Sequence, residues 1–308
     1  MLIDIILSTY NGTRYLTEQL ESVLKQTYQN WHLIVRDDGS TDDTVEIAKR
    51  YAAQFPGRIT YIDDRENLGA CRSFAKLLSE TKASYVMFCD QDDVWLPHKI
   101  EITLNKMLAM ELECGKAVPI LVHTDLQVVD SNLKLLDASY WNYRKIDPSR
   151  DRLNYLLSQN IVTGCAMMIN SALREKVKYI PQEALMHDWW LALIAAVFGR
   201  IFHISEATIC YRQHGKNTLG AKQWSLGHWV ELLFKYSEVK GRMLKAEQQA
   251  KAFLELYQAD NISYGDKKIL DTYANLRKFN YFYRRYLIFK YKYFKAGFIR
   301  NLVMFFLC

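Results

Sequence analysis

Residues 1–95 alternate between short apolar runs and longer amphipathic stretches, and this alternation is the feature that most limits the possible folds. The short runs predict strands, and the stretches with apolar residues at helical spacing predict helices. The strands are expected at 3–7, 32–36, 59–62 and 85–88, and the helices at 14–26, 43–55 and 70–80. This order indicates an α/β, Rossmann-like fold with a mostly parallel sheet flanked by helices. Because such sheets bind ligands outside the carboxyl ends of their strands, we expect the site there.

The remainder of the chain is less regular. A helix is expected from Met186 to about Phe198, and beyond about residue 225 the pattern becomes helical and basic. Strands are expected at 120–123, 126–129, 161–169, 201–204 and 208–211. We therefore divide the chain into residues 1–220, with halves at 1–95 and 96–220, and a helical C-terminal extension at 221–308.

An acidic segment, Asp90-Gln91-Asp92-Asp93, directly follows the apolar run 85–88. Carboxylates this close together repel one another and lose solvation energy unless a cation or several donors neutralise them. If the chain stays extended, Asp90 and Asp92 lie on one side and Asp93 on the other. Carboxylate ligands suit Mg²⁺ or Mn²⁺, so the segment predicts a divalent metal site. The simpler alternative is an acidic surface turn.

Two other polar segments lie between predicted strands and helices. In Asp37-Asp38-Gly39-Ser40, a carboxylate can accept a hydrogen bond from a pyrimidine imide or a ribose hydroxyl. Ordinary turn and capping chemistry explains the same residues equally well. Asn67 and Gly69 favour a plain turn.

The pair His187-Asp188 precedes two tryptophans at the start of a predicted helix. A carboxylate beside apolar rings should have a raised pKa, which suits a general base that takes a proton from a sugar hydroxyl. A helix N-cap is the alternative. Further along, Arg212 and His214 follow a predicted strand. Arg212 would balance a departing diphosphate and His214 would join it or the metal, unless the segment is only a surface loop.

The composition, with 50% hydrophobic and 24% charged residues, is that of an ordinary soluble protein. The six cysteines are scattered without metal-binding spacing, which indicates free thiols in a reducing compartment. There is no signal-peptide pattern and no uncharged apolar run long enough to span a bilayer, so we expect a cytosolic protein. The net charge of +6 divides into −3 over residues 1–220 and +9 over 221–308.

The C-terminal stretch 277–300 carries eight basic residues, no acidic residue and ten Phe or Tyr. With the apolar tail 302–307, this predicts an amphipathic segment that binds the membrane surface. Each basic residue near an anionic leaflet contributes about 1 kcal/mol, so several support reversible attachment. The alternatives are an arm that binds single-stranded nucleic acid and a helix packed on the catalytic domain with a solvated basic face.

The ordered motifs resemble the inverting family-2 glycosyltransferases with the GT-A fold. The motifs that carry the resemblance are Ser8–Gly12, Arg36–Asp42, Asn67–Gly69 and Asp90–Trp95. The later segments Thr163–Cys165, His187–Trp190 and Tyr211–Asn217 look like the bacterial rhamnosyltransferase-type branch. The resemblance covers about residues 1–220 and depends on the set, because each motif alone is unspecific.

The resemblance implies a role for each matching residue. Asp188 would be the catalytic base, and Asp92, Asp93 and His214 would lie at a Mg²⁺ or Mn²⁺ ion. The nucleotide-sugar would be bound in the 1–95 half, together with one later arginine, by Thr9, Tyr10, Asn11, Asp37, Asp38, Asn67, Gly69, Asp90, Gln91, Asp92 and Arg212. The acceptor would be bound by Trp95, Gly164, His187 and Trp189.

The resemblance also implies an activity. The enzyme would transfer a sugar, L-rhamnose from dTDP-rhamnose, to a lipid-linked cell-surface polysaccharide at the inner face of the membrane. No nucleic acid partner is expected. The sequence has neither the Gln-x-x-Arg-Trp helix nor the spans of processive members, which favours addition of one or a few sugars.

Three alternatives stay open. The donor could be a UDP-hexose. The fold could serve nucleotidyl transfer, although 8–12 contains a single glycine where a glycine-rich phosphate loop is expected. The chain could also be a non-catalytic scaffold that binds membranes, although all the family's carboxylates are present.

Overall fold

The computed structural model describes residues 1–64, 66–215 and 236–307. Its centre is a nine-stranded sheet in the order β3-β2-β1-β4-β8-β6-β9-β5, with β7 paired to β6. The strands are β1 Ile3–Thr9, β2 Trp31–Asp37, β3 Ile59–Ile62, β4 Tyr85–Cys89, β5 Val94–Trp95, β6 Ile120–Val129, β7 Leu135–Asp137, β8 Met167–Asn170 and β9 Arg200–Arg212.

Eight helices accompany these strands in the part of the chain up to residue 215. They are α1 Leu16–Leu24, α2 Thr44–Gln54, α3 Ala70–Glu80, α4 Lys99–Cys114, α5 Tyr140–Arg144, α6 Leu153–Leu156, α7 Ser171–Lys176 and α8 His187–Phe198. A single 3₁₀ turn, Gly164–Ala166, precedes β8. Apolar residues of β1, β2 and β4 alternate between two hydrophobic clusters, one on each face of the sheet. This double burial explains why their sequences are mostly apolar.

Strands β1 to β4 are parallel, as the alternating pattern predicted. The bounds of α2 and α3 lie within one residue of the predicted ones. The acidic segment follows β4 at the carboxyl end of the sheet, beside the ends of β1 and β2. The α/β fold class is confirmed, and the acidic segment lies at the edge of the sheet where the site is expected.

The second half of the sheet is mixed and differs from the prediction. β8 runs antiparallel between β4 and β6, whereas β9 is parallel to β6. The run 161–169 is not one strand, because it contains the turn Gly164–Ala166 and only then enters β8. Conversely, 120–123 and 126–129 form the single strand β6, because its pairing with β9 continues across irregularities near Asp125. For the same reason 201–204 and 208–211 join into β9.

The described C-terminal residues form four helices: α9 Tyr236–Leu256, α10 Tyr264–Ala274, α11 Tyr281–Tyr291 and α12 Phe298–Leu307. The helical prediction is confirmed for this part. Phe253 of α9 and Tyr273 of α10 belong to the same hydrophobic cluster as Trp190 of α8. These helices therefore pack on the part of the chain that carries the sheet. No helix of 236–307, or of the other described residues, has the length and apolar character needed to cross a bilayer.

Candidate active site

Three loops meet at the carboxyl ends of β1, β2 and β4. The Gln91 side chain joins two of them, since its Oε1 accepts from Tyr10 N at 2.8 Å and its Nε2 donates to Tyr10 O at 2.9 Å. The third loop, which follows β2, is connected through Ser40, whose Oγ accepts a hydrogen bond from Asn11 N at 2.8 Å. Gly12 allows the close approach, because a Cβ there would lie 2.2 Å from Gln91 Oε1. The predicted convergence of the three motifs is confirmed.

Asp37 organises the turn after β2. It is fully buried and accepts hydrogen bonds from Thr9 Oγ1 at 2.9 Å and from Ser40 N at 2.7 Å. Gly39 has a φ of 85°, which favours glycine. These bonds match the turn alternative, whereas the N-cap position of α2 is Asp43. A contact of Asp37 or Thr9 with a nucleotide stays a prediction.

Asp38 is held just as firmly. Its carboxylate accepts from Leu68 N and Gly69 N, each at 2.8 Å, and from Arg36 Nη1 at 2.7 Å. Arg36 is fully buried and also bonds Asp64 and Ser73. Sequence reasoning did not single out Arg36. The available signal was a charged residue at the end of an otherwise apolar strand.

The loop that Asp38 holds leads into α3. Gly69 has a φ of 75°, and Asn67 is exposed. Between the start of α3 and the segment before α8 lies a groove of about 280 Å³, lined by Leu68, Gly69, Ala70, Cys71, Arg72, Pro181, Gln182, Ala184 and Met186. The Cys71 thiol is close enough to Asp188 for that carboxylate to help raise its pKa, after burial, to about 12. The groove therefore opens beside the predicted base.

The acidic segment folds back instead of staying extended. β4 ends at Cys89 and residues 91–92 form a turn. One ligand atom each of Asp90, Asp93 and Cys165 therefore lies within 4.8 Å of the others. The segment is therefore not extended as the alternation argument requires, because β4 ends before the segment begins.

The carboxylates strongly influence one another. Burial, then repulsion from Asp92 and Asp188, raises the pKa of Asp90 to about 7. Burial and the charges of Asp92 and Asp90 raise the pKa of Asp93 well above its usual range. A divalent cation would relieve this repulsion, so the donor set fits Mg²⁺ or Mn²⁺. Asp90 and Asp92 are the partly exposed carboxylates that would hold the ion, whereas Asp93 is fully buried.

Arg212 ties the end of β9 to the acidic segment. Its main-chain N–H donates to Asp93 Oδ1 at 3.0 Å and its Nε to Asp92 O at 2.8 Å. Its buried guanidinium pairs with Glu18 and lies 4.4 Å from the Tyr15 ring centroid. Arg212 thus supports the loop, and its contact with a diphosphate stays a prediction.

His214 contacts the acidic segment through Asp92. Its Nε2 is 2.7 Å from Asp92 Oδ2. The side chain of His214 is 16% exposed and that of Asp92 is 15% exposed. Its ring is tilted over that of Tyr15 at 4.9 Å between centroids. The structure therefore brings together two of the three predicted metal ligands, while the third, Asp93, faces inward. Gly215 ends this described stretch, and the motif residues 216–217 lie outside the described residues.

Asp188 lies in the first turn of α8, after the N-cap Met186. Its carboxylate accepts from Gly164 N at 3.0 Å and from Trp189 N at 2.5 Å. Burial raises its pKa to about 7, despite the hydrogen bonds that favour the ionised form. Asp188 also raises the pKa of Asp90, so the two carboxylates are close enough to interact. This arrangement suits a general base next to a diphosphate site.

The predicted acceptor residues are less open than expected. Trp95 is 2% exposed and packs in the core, and His187 is 3% exposed, with its ring 4.2 Å from that of Phe74. Burial lowers the pKa of His187 to about 3. Trp189 Nε1 donates to Leu156 O at 2.6 Å. Gly164 is needed for close packing, because a Cβ there would lie 2.8 Å from the His187 ring. In this conformation neither Trp95 nor His187 is open to a ligand.

Comparison with known proteins identifies the family. The model of glycosyl transferase family 2 matches residues 4–176, which is more than half of the chain. The chain belongs to this family. The three convergent loops and the acidic segment of this family-2 glycosyltransferase lie within the matched region. Asp188, Arg212 and His214 lie after the end of that region.

Individual relatives match parts of the enzyme. It is 40% identical over 99 residues to EpsE of Bacillus subtilis (strain 168), covering 32% of this chain and 36% of that protein. It is 27% identical over 230 residues to the dTDP-rhamnosyl transferase RfbG of Shigella flexneri, covering 70% and 74%. The chain thus spans about a third of the length of one relative and most of the other.

Solved structures share the fold. Residues 1–349 of TarS from S. aureus, in complex with UDP, superpose with a TM-score of 0.54 at 20% identity, covering 91% of this chain and 73% of that chain. The mannosyltransferase PcManGT from Pyrobaculum calidifontis, in complex with GDP-Man and Mn²⁺, gives a TM-score of 0.58 at 16% identity, covering 94% and 72%. The family-2 glycosyltransferase therefore has the GT-A fold.

Proposed function

We propose that this glycosyltransferase moves a sugar from a nucleotide-diphosphate donor to a hydroxyl of a lipid-linked saccharide, with inversion at the anomeric carbon. The observation that carries the proposal is the position of Asp188. Its carboxylate is held by Gly164 N at the start of α8, interacts with Asp90 of the acidic segment, and has its pKa raised to about 7. One carboxylate there can act as a base at neutral pH while the acidic segment binds the donor.

The chemistry follows from the places of these residues. Asp188, when ionised, takes the proton of the acceptor hydroxyl as its oxygen attacks the anomeric carbon. A Mg²⁺ or Mn²⁺ ion held by Asp90 and Asp92 would supply positive charge for the departing diphosphate. His214, whose Nε2 is 2.7 Å from Asp92 Oδ2, would add a further hydrogen-bonding group near the diphosphate. The buried hydrogen bonds of Asp188 keep its carboxylate oriented in the cleft.

We propose L-rhamnose from dTDP-rhamnose as the transferred sugar. The dTDP-rhamnosyl transferase RfbG, which this chain matches over 70% of its length, supports this donor. A UDP-hexose is the second candidate, because the E. coli glucosyltransferase WfgD, named for UDP-Glc and a diphosphoundecaprenol acceptor, is 33% identical over 107 residues.

Thermal stabilisation tests the donor site. We expect one of dTDP, UDP and GDP, in the presence of Mn²⁺, to raise the midpoint of unfolding of the wild type. A ligand at 100 times its dissociation constant adds about 2.7 kcal/mol. Asp92→Asn should abolish the shift, because it removes the partly exposed carboxylate beside His214.

Asp63→Asn is the matched control, since that side chain is 61% exposed and pairs with Lys49 outside the cleft. Its nucleotide shift should equal that of the wild type. If no nucleotide stabilises the wild type with or without Mn²⁺, the donor site is not as proposed, and a scaffold role becomes the better explanation.

We further propose that the enzyme works at the inner face of the cell membrane and that α11 contacts the bilayer. Phe282, Tyr286 and Phe289 are 83%, 53% and 58% exposed and share one helix face by their spacing of four and three. Lys290 and Lys292 lie exposed beside them. Aromatic rings flanked by cations match an anionic lipid surface.

Vesicle sedimentation tests this surface. Replacing Phe282 and Phe289 together by alanine should reduce binding to vesicles of phosphatidylglycerol and phosphatidylcholine about 30-fold, because about 2 kcal/mol of apolar burial is lost. Leu112→Ala on α4, where the side chain is 87% exposed, is the control and should bind like the wild type. Equal binding by all three proteins would remove α11 from the membrane contact.

A further inference from the structure

The polypeptide between α11 and α12, residues 292–297, is bound by side chains from α6 and the residues that follow it. We call this stretch the C-terminal turn. Asn154 Nδ2 donates to Lys292 O at 3.0 Å, and Gln159 Oε1 accepts from Ala296 N at 2.8 Å. These bonds join side chains to the main chain of the turn across 138 and 137 positions of sequence. Both ends of the turn are therefore fixed to the same short piece of chain.

The C-terminal turn is also held by the helices around it. Tyr293 is fully buried, and its hydroxyl donates to Ile269 O of α10 at 2.6 Å. Lys295 N donates to Asn301 Oδ1 of α12 at 2.7 Å, and Lys295 O accepts from Arg150 Nη1 at 2.9 Å. A main chain bonded on several sides has little freedom to move. The turn can therefore act as a support for α6.

The same piece of chain contacts the start of α8. Gln159 N donates to Tyr155 O at 2.9 Å, so helical bonding continues beyond the end of α6. Leu156 O accepts a hydrogen bond from Trp189 Nε1 at 2.6 Å. Trp189 N in turn donates to Asp188 Oδ1 at 2.5 Å. α6 is therefore bonded to the C-terminal turn and also to the tryptophan that follows the proposed base.

The loop after α6 reaches Asp188 by a second route. Gly164 lies five positions after Gln159, and its N–H donates to Asp188 Oδ2 at 3.0 Å. Between them, Asn160 Oδ1 accepts from Val162 N at 3.0 Å and its Nδ2 donates to Val162 O at 2.9 Å. A short loop closed by its own side chain transmits a displacement of one end to the other. A shift of Gln159 would therefore move the donor to the base.

We propose that the C-terminal turn positions the catalytic base through α6, and that Asn154 and Gln159 are the positioning residues. Their side chains hold the turn, and the main chain between and after them holds Trp189 and Gly164, which bond Asp188. The functional meaning of this support rests on the proposed role of Asp188, whereas the contacts themselves do not.

The place of the turn relates this role to the proposed membrane surface. α11, whose exposed aromatic face is the proposed bilayer contact, ends at Tyr291, directly before the turn. The main chain thus joins the helix proposed to bind lipid to the support of the base. The basic composition of residues 277–300 indicated membrane attachment but gave no sign of this second role.

NMR of the tryptophan indoles tests the positioning without nucleotide or activity. Trp189→Phe assigns the Nε1–H signal of Trp189 in the full-length protein. Gln159→Leu removes the acceptor of Ala296 N, so we expect this signal to shift and its exchange with D₂O to become about tenfold faster. Gln159→Glu keeps a carboxyl oxygen for Ala296 N and should leave the signal and its exchange rate as in the wild type.

Two further variants make the result independent of one substitution. Asn154→Asp replaces the donor to Lys292 O by a second acceptor, so it should change the Trp189 signal as Gln159→Leu does. Gln248→Leu, at an exposed position of α9, is the matched control and should leave the signal unchanged. If the signal stays in place in both Gln159→Leu and Asn154→Asp, the C-terminal turn does not position the start of α8.

Transfer kinetics test the consequence for the base. The donor is dTDP-rhamnose or UDP-Glc, according to which nucleotide stabilises the wild type, and the acceptor is GlcNAc-diphosphoundecaprenol, named for WfgD. We expect Gln159→Leu to lower kcat about tenfold, which corresponds to about 1.4 kcal/mol in the barrier. Its nucleotide-induced thermal shift should equal that of the wild type, because the bonds of the turn lead to α8 and not to the donor loops. Gln159→Glu should keep the wild-type rate.

The outcomes keep the two proposals apart. A changed Trp189 signal with an unchanged kcat would overturn the positioning of the base. A wild type that transfers no sugar would count against the proposed function, whereas the NMR comparison would still decide whether the turn holds the start of α8.

Discussion

Asp188→Asn is expected to lower the rate of sugar transfer by about 10²–10⁴ while donor binding is kept. Asparagine preserves the size of the side chain and one oxygen for Gly164 N, but it cannot take the proton of the acceptor. Initial rates of transfer, and nucleotide-induced thermal shifts on the same protein, separate the two effects. Glu183→Gln, exposed in the segment before α8, is the control and should transfer at the wild-type rate.

The pH dependence provides an independent check of the same residue. Only the ionised carboxylate can accept a proton, and burial raises the pKa of Asp188 to about 7. The rate should therefore fall about tenfold per pH unit below that value and level off above it. Asp90 titrates in the same range, so the deciding result is whether the fall in rate at low pH disappears in Asp188→Asn. If the variant keeps this fall in rate, or transfers sugar at a near-normal rate, Asp188 is excluded as the base.

Asp38→Ala is expected to lower the free energy of unfolding by about 3–5 kcal/mol. The change removes the acceptor of two main-chain N–H groups and takes one carboxylate away from the buried Arg36. Unfolding in urea measures the loss. Asp63→Ala, an exposed carboxylate beyond β3, should cost no more than about 1 kcal/mol. A small loss in Asp38→Ala would mean that the Arg36–Asp38 pair does not hold the loop before α3.

Asp38→Asn separates this structural role from the predicted contact with the base. Asparagine retains an acceptor for Leu68 N or Gly69 N. A folded variant that no longer responds to the stabilising nucleotide would support the contact. A variant with an unchanged nucleotide response would limit Asp38 to the support of the loop.

The parallel half of the sheet was predictable because its signals are local. Each of β1 to β4 is an apolar run, and the helices between them show one apolar face, so periodicity alone located them. The convergence of 8–12, 37–40 and 90–93 followed from the rule that parallel strands place their carboxyl ends at one edge. In the second half that reasoning failed, because β6 and β9 contain polar residues and their continuity depends on pairing with each other.

Several partners of the site residues were not predictable, since they lie far away in the chain. Gln91 meets Tyr10 across 81 positions and His214 meets Asp92 across 122. Burial was equally hidden: Arg36 and Lys99 read as ordinary charges until the fold enclosed them.

The sequence by itself determined the α/β class, the edge that carries the site, and the residue types that stand there. It did so because side-chain periodicity and chain direction are properties of neighbours. Only the tertiary structure decided which carboxylates face the cleft and which face the core. It buried Asp93 against the main-chain N–H of Arg212 and gave Asp188 and Asp90 their raised pKa values. Those outcomes depend on burial and on charges brought together from distant parts of the chain, which no local pattern records.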